Sequence, residues 1–151
     1  MSSEPRPARV SSDGRAGPRV RLGRQAEDGI APSIFGLIER GIAREPELVE
    51  RMRGRVVFRF AEEFSPLRIS FRPRIVVVED GDLRKPDLVI SGRLPDIVHF
   101  ATVPILGGPL HGLPDPRVAR GRAALGRLAR GRVRMEGDSR LARRVLRLLA
   151  V

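Results

Sequence analysis

Five short stretches of this chain have the pattern of apolar and polar residues that is typical of β-strands. In RVVFRFA, Val56, Phe58 and Phe60 share one face, and Arg55 and Arg59 lie on the other. PLRISFR repeats this alternation, RIVVVED is a short apolar run, and PDLVISG and GRVRMEG complete the set. The pattern therefore predicts five strands, over residues 55–61, 66–72, 74–80, 86–92 and 131–137.

Helical periodicity fills most of the remaining chain. Ser33 is a suitable N-cap for IFGLIERGIA, and Pro46 and Pro95 suit the first turns of two further helices. A stretch rich in Pro and Gly, residues 104–116, predicts an irregular loop before the next helix. The predicted helices cover residues 34–43, 46–53, 94–103, 118–131 and a final segment from 139.

The final helix is strongly amphipathic and has an N-cap candidate in Asp138. At about 100° per residue its arginines form one side and its leucines and valine the other. The apolar side comprises Leu141, Val145, Leu148 and Leu149, and the basic side Arg140, Arg143, Arg144 and Arg147. We expect the apolar side to dock on the sheet, whose apolar face needs a cover. Binding to a membrane surface is the alternative.

Residues 1–31 contain Pro, Gly, Ser and Arg with few apolar positions and no periodicity. Such a segment buries too little surface to offset its ordering entropy, so we predict a disordered basic N-terminal arm over 1–31. A nucleic-acid-binding arm is the alternative, but four acidic residues dilute its charge.

The composition indicates one cytoplasmic domain. The chain has 151 residues, 41% of them hydrophobic, which is enough for one core. Its longest apolar runs span about four residues, whereas a transmembrane helix needs about 18 or more. The first thirty or so residues lack the apolar region of a signal peptide. Cysteine is absent, which removes disulfides and thiolate chemistry.

The formal charge of +11 comes almost entirely from arginine, and eleven arginines follow Pro116 against two acidic residues. We expect the arginines on the outer sheet face and the last helix to bind peripherally to anionic membranes. Salt should weaken this binding, because it screens exposed charges. Sequence-specific nucleic-acid binding is not expected. The chain has no Tyr or Trp to stack on bases, and it shows no helix-turn-helix or zinc-finger pattern.

No pattern of reactive residues points to catalysis. His99 lies in an apolar helix and His111 in a loop, and neither has metal-ligand spacing to another His or to a carboxylate pair. Gly107 and Gly108 lack the sequence context of a phosphate-binding loop, and no serine sits in a nucleophile elbow. The sequence therefore predicts a protein that is not an enzyme and has no cofactor and no catalytic or metal-binding residues.

Two motifs in this order of elements resemble the sterol carrier protein domain family. That family has a strand of the form (Ala/Pro)-Asp-hydrophobic-x-Ile-x-Gly followed by a helix, and a last strand that runs through Gly-Asp into a Leu-rich helix. Here the first motif is PDLVISG, and the second is GRVRMEGD. The residues that match are Pro86, Asp87, Ile90, Gly92, Gly131, Arg132, Val133, Met135, Gly137 and Asp138. The resemblance covers roughly residues 33–151.

The resemblance implies an α+β domain over residues 32–151. Its fold would be a five-stranded, mostly antiparallel sheet with helices on one face, enclosing an apolar tunnel. It also implies noncatalytic binding or transfer of a lipid, either a sterol, a fatty acid, an acyl-CoA or an isoprenoid. The insertion at 104–125 is longer than usual and leaves the ligand open. The alternative is a scaffold of the same fold without ligand, binding a partner or a membrane surface, such as an accessory factor in lipid or quinone biosynthesis.

Apolar side chains from both layers are the candidate ligand contacts. We predict that the sheet and the covering helices and loop line the tunnel and that any polar headgroup lies at its mouth, near arginines of the last two helices. The predicted lining comprises Val56, Phe58, Phe60, Ile69, Phe71, Ile90, Phe100, Leu106, Leu110, Leu128, Met135, Leu146 and Leu149.

Overall fold

The structure is a computed structural model that describes residues 17–106 and 113–150. This part of the chain contains six strands and five helices. The elements follow the predicted order, with one strand added before the first helix. They are β1 (Arg19–Leu22), α1 (Ala31–Arg44), α2 (Pro46–Glu50), β2 (Gly54–Phe60), β3 (Leu67–Arg72), β4 (Ile75–Asp80), β5 (Leu88–Gly92), α3 (Leu94–Ala101), α4 (Ala119–Ala129), β6 (Val133–Gly137) and α5 (Ser139–Leu149).

The strands form one mixed sheet in the order β1-β4-β3-β2-β5-β6. β1 runs parallel to β4 and β2 parallel to β5, and the other three pairs are antiparallel. The expected five-stranded, mostly antiparallel sheet is therefore wrong in strand number and in the amount of parallel pairing. Alternation along a strand shows which residues share a face, but it carries no information about which strand lies beside it.

β1 corrects part of the predicted N-terminal arm. Residues 1–16 lie outside the described residues, but Arg19–Leu22 pairs with β4, with Val20 opposite Val76 and Leu22 opposite Val78. Val20 and Leu22 are half-buried against the core. A four-residue alternation among Pro, Gly and Arg is too short to predict a strand. It forms because the edge of β4 supplies its backbone partners, so the folded domain extends beyond the predicted start at residue 32.

One face of the sheet carries the core, and the helices pack on it. The inward residues of β2, β3 and β4 alternate as predicted, and residues such as Val56, Ile69 and Val78 are fully buried. Elements α1, α3, α4 and α5 all contact the strands. The predicted placement of the helices on one face is confirmed, and the hydrophobic core lies between the two layers.

The opposite face of the sheet is rich in arginine. Arg55, Arg59 and Arg72 are exposed there, while Arg68 donates from Nε to Oε1 of Glu79 at 2.7 Å. This hydrogen bond lowers the pKa of the Glu79 carboxyl below its ordinary value, although partial burial works in the other direction. The outer face is therefore basic, with some of its charge neutralised within the sheet.

α5 docks on the sheet through its apolar side, as predicted. Leu141, Val145 and Leu148 are buried in the core. Asp138 is the N-cap, and its Oδ1 accepts from the backbone N–H groups of Arg140 at 2.8 Å and Leu141 at 3.1 Å. Within residues 17–106 and 113–150, no helix combines the length and the apolar character needed to cross a membrane.

Two glycines of α1 give a matched test of how closely this helix approaches α5. A Cβ on Gly41 would lie 2.1 Å from the carbonyl oxygen of Leu148, whereas a Cβ on Gly36 would meet no atom within 4 Å. In an open helix position, Gly→Ala stabilises by about 0.5–1 kcal/mol. We expect Gly36→Ala to show this gain. Gly41→Ala should instead lower the free energy of unfolding by about 1–3 kcal/mol, because backbone must move.

Urea denaturation of the two variants measures both effects on one scale. Equal stabilisation by the two substitutions would show that α1 and α5 do not approach each other this closely.

Candidate functional site

An apolar pocket opens at the end of the core where α3, α4 and α5 meet strands β5 and β6. It encloses about 230 Å³. Most of its wall is hydrocarbon, and the side chains that line it include one hydroxyl and one guanidinium. The lining residues are Leu88, Phe100, Leu113, Leu128, Met135, Gly137, Ser139, Ala142, Arg143 and Leu146.

The space exists because small residues stand where large ones would close the core. Leu88 on β5 lies opposite Gly137 on β6, which has no side chain, and Ala142 on α5 contributes only a methyl group to the wall. Met135 faces the same side of the sheet as its cross-strand partner Ile90. A larger side chain at 142 would fill this volume.

An ion pair fixes the helical wall of the pocket. Arg127 on α4 donates from Nε to Oδ1 of Asp96 on α3 at 2.9 Å, and both side chains are largely buried. This pair holds the two helices that carry Leu128 and Phe100. The adjoining loop is closed at its base, where the backbone N–H of Leu106 donates to the carbonyl of Leu113 at 2.8 Å.

Four of the predicted ligand contacts surround this pocket: Phe100, Leu128, Met135 and Leu146. Other predicted contacts are buried in the core and do not line it, namely Val56, Phe58, Ile69, Phe71, Ile90 and Leu149. Phe60 and Leu106 are half-buried and are not among the lining residues, and Leu110 lies outside the described residues. The continuous tunnel that the resemblance implies therefore stays a prediction, and the structure supplies a pocket at one end of the core.

Several lining residues were missed by the sequence analysis. Gly137, Ser139 and Ala142 are too small or too polar to be selected as apolar contacts, and Leu113 lies in the segment predicted as irregular. The 104–125 insertion does reach the site, because Leu113 forms part of the wall. The only sequence signal available for Gly137 was its place in the Gly-Asp motif before α5.

A second, polar pocket lies beside the first, on the exposed side of α5. It encloses about 380 Å³ between this helix and the α1–α2 junction. We call it the arginine basin, and its lining residues are Glu45, Glu47, Leu48, Arg51, Arg140, Arg143, Arg144 and Arg147. Arg143 lines both pockets. A molecule with an apolar chain and a negatively charged head would find complementary surfaces on the two sides of Arg143.

The two histidines do not form a reactive centre in the described residues. His99 is half-buried on α3, and its Nε2 atom is buried without a hydrogen-bond partner in that part of the chain. His111 lies outside the described residues. Among residues 17–106 and 113–150, no group of three or more acidic or histidine side chains is placed to hold a metal ion.

Comparison with solved structures finds a similar fold over most of the chain. A UbiJ-SCP2 ubiquinone synthesis protein matches with a TM-score of 0.54 at 14% identity, over 79% of this chain and 87% of that one. The fold is sterol carrier protein-like.

Two further solved structures match less closely than the ubiquinone synthesis protein. Sterol Carrier Protein 2 Like 2 from Aedes aegypti has a TM-score of 0.41 at 18% identity, over 76% of this chain and 94% of that one. The sec-alkylsulfatase Pisa1 from Pseudomonas sp. has a TM-score of 0.47 at 14% identity, over 70% of this chain and 14% of that one. No family model and no curated protein matches this chain.

The two motifs that predicted the sterol carrier protein-like fold meet at one structural junction. The Oδ2 atom of Asp87 accepts from the backbone N–H of Arg55 at 2.7 Å, and its carbonyl accepts from the N–H of Asp138 at 2.9 Å. Gly137 has φ +120°, and a Cβ there would lie 2.2 Å from the carbonyl oxygen of Asp87. These residues join β2, β5 and β6 to α5, so the motifs indicate the fold and not the ligand.

Proposed function

We propose that this protein binds a single long acyl or isoprenoid chain without transforming it, with the end of the chain in the apolar pocket. The observation that carries this proposal is the pocket itself, with Phe100, Leu128, Met135 and Leu146 around it. Apolar contact of this kind is the usual source of affinity in small-molecule sites.

The volume of the pocket favours a chain over a sterol ring system. A dry apolar cavity of about 150 Å³ holds benzene, and sites for drug-sized ligands span about 300–1,000 Å³. At about 230 Å³ the pocket lies between these sizes. It therefore suits part of a flexible chain, with the remainder of the ligand crossing the rim at Ser139 and Arg143.

The pocket wall supports binding without catalysis. Its ten described residues include one hydroxyl group, on Ser139, and one guanidinium, on Arg143, but no carboxylate and no histidine. A serine without a base beside it is a weak nucleophile. The solved structure that shares the fold is named for ubiquinone synthesis, so handling of a quinone precursor with an isoprenoid chain is one form of this proposal.

The second candidate is a ligand-free scaffold that acts as an accessory factor in lipid or quinone biosynthesis. The observation in its favour is the dense core. Val56, Ile69 and Leu67, on the face predicted to line a tunnel, are fully buried.

Chain binding is tested with a fluorescent fatty acid and with the variant Leu146→Trp, which fills the pocket. We expect the folded protein to bind the probe at micromolar Kd or better, equivalent to about −8 kcal/mol, and Leu146→Trp to weaken binding at least tenfold. The matched control is Val118→Trp, because Val118 is 38% exposed and lies outside the pocket wall.

Urea denaturation checks that Leu146→Trp is folded, since overpacking costs about 1–3 kcal/mol. If this variant does not fold, Ala142→Leu fills the pocket from the same helix with a smaller side chain. Folded wild-type protein that binds no probe and yields no lipid on organic extraction would favour the scaffold instead.

A further inference from the structure

The arginines of the basin fall into two groups by what they contact. Arg147 pairs with Glu45, and Arg144 donates from a terminal guanidinium nitrogen to the carbonyl oxygen of Arg51 at 3.1 Å. These contacts tie α5 to the α1–α2 region and give the basin its walls. The guanidinium groups of Arg51, Arg140 and Arg143 have no partner within the described part of the chain.

The basin carries unbalanced positive charge. Five arginines and two glutamates line it, which leaves a formal surplus of three positive charges. Four of the arginines lie three or four residues apart on α5, a spacing at which like charges on a helix repel each other. Contacts within the fold account for Arg144 and Arg147 but not for Arg140 and Arg143, and a bound anion would relieve the repulsion.

Arginine is suited to one class of anion in particular. Its planar guanidinium matches phosphate oxygens with two parallel hydrogen bonds, and several guanidinium groups can share one phosphate. Arg143 lies between the basin and the apolar pocket. Any anion held by Arg143 would therefore lie at the mouth of the proposed chain site.

We propose that the arginine basin binds a phosphate group and that it selects lipids whose head carries phosphate or diphosphate. Selection among lipids by their head group rests on the proposed chain-binding function, whereas phosphate binding in the basin does not depend on it. Arg143 is assigned the contact that joins the two sites, with Arg140 and Arg51 completing the phosphate site.

Titration calorimetry with three probes, at one fixed ionic strength, measures the contributions of the head group and the chain to affinity separately. The probes are dodecyl phosphate, 1-dodecanol and inorganic pyrophosphate. We expect dodecyl phosphate to bind at least tenfold more tightly than dodecanol. Pyrophosphate should bind more weakly than dodecyl phosphate but measurably. Added salt should reduce the preference for phosphate, because the basin is exposed to solvent.

The variant Arg143→Gln should remove most of the tenfold preference for dodecyl phosphate over dodecanol. Arg140→Gln should reduce the preference in the same direction. Arg134→Gln is the matched control, since it removes the same charge from an exposed arginine of β6 that lines neither pocket. Thermal melting should show all three variants folded, because none of these guanidinium groups has a partner in the described residues.

The outcomes distinguish this inference from the proposed function. Dodecanol and dodecyl phosphate binding with equal affinity would overturn the inference and leave chain binding intact. Pyrophosphate binding that depends on Arg143, with no dodecanol binding, would support the phosphate site and overturn the chain proposal. Binding only to vesicles that contain phosphatidylserine, with no affinity for the three soluble probes, would overturn the inference and identify the basin as a membrane contact.

Discussion

A chain that ends at Gly137 is expected to lose cooperative unfolding altogether. The deletion removes α5, which buries Leu141, Val145, Leu148 and Leu149 in the core. Each contributes about 1.5–3 kcal/mol when buried, and the sum is comparable to the whole stability of a typical domain, about 5–15 kcal/mol. Urea denaturation monitored by circular dichroism should show the loss as a shallow transition without a baseline for the folded state.

The basic side of α5 supplies the control for this truncation. Arg143→Ala changes an exposed residue with no partner in the described part of the chain, so the full-length variant should unfold cooperatively near the wild-type midpoint. A truncated chain that still unfolds sharply would contradict docking. It would show that α5 is not needed for the fold and would favour the alternative, in which α5 binds a membrane surface.

Element type and face were largely predictable from the sequence. A period of two in β2 and β3 placed Val56, Phe58 and Ile69 on the inner face, where the structure has them. The amphipathic pattern of α5 and its N-cap at Asp138 were predictable for the same reason. These features depend on neighbours along the chain, so local sequence contains the information.

Pairing and pocket formation were not predictable, because both depend on what lies across from a residue. Ile90 and Met135 are cross-strand partners on one face, yet Met135 lines the pocket and Ile90 is packed in the core. Met135 shares the pocket wall with Ala142, whose side chain is only a methyl group. The sequence does not show whether an apolar residue faces a cavity or another side chain.

The start of α1 illustrates the same limit. The sequence predicted a helix capped by Ser33, but α1 begins at Ala31 without a side-chain cap of its own. The backbone N–H of its N-cap residue, Ile30, donates to Oδ1 of Asp80 at 3.2 Å, and Asp80 lies fifty residues further along the chain. Helix entry is therefore set by a tertiary contact.

Replacing Asp80 by alanine should destabilise the fold by about 2–4 kcal/mol. Asp80 is 2% exposed, and its carboxylate also accepts from the N–H of Ala26 at 3.0 Å. Loss of the side chain leaves two amide donors without their acceptor, at about 1–3 kcal/mol each. Gly29 shows how tightly this loop closes, since a Cβ there would lie 2.0 Å from Oδ2 of Asp80.

Asp82 is the matched control, two residues away in the same acidic segment. Its side chain is 47% exposed and pairs with Arg59 at 3.1 Å, so Asp82→Ala should cost about 1 kcal/mol or less. Urea denaturation of the two variants measures the difference. Equal losses would show that Asp80 does not hold the loop between β1 and α1. A larger loss for Asp80→Ala, with faster hydrogen exchange at the Ala26 and Ile30 amides, is the expected result, because those two groups lose their acceptor.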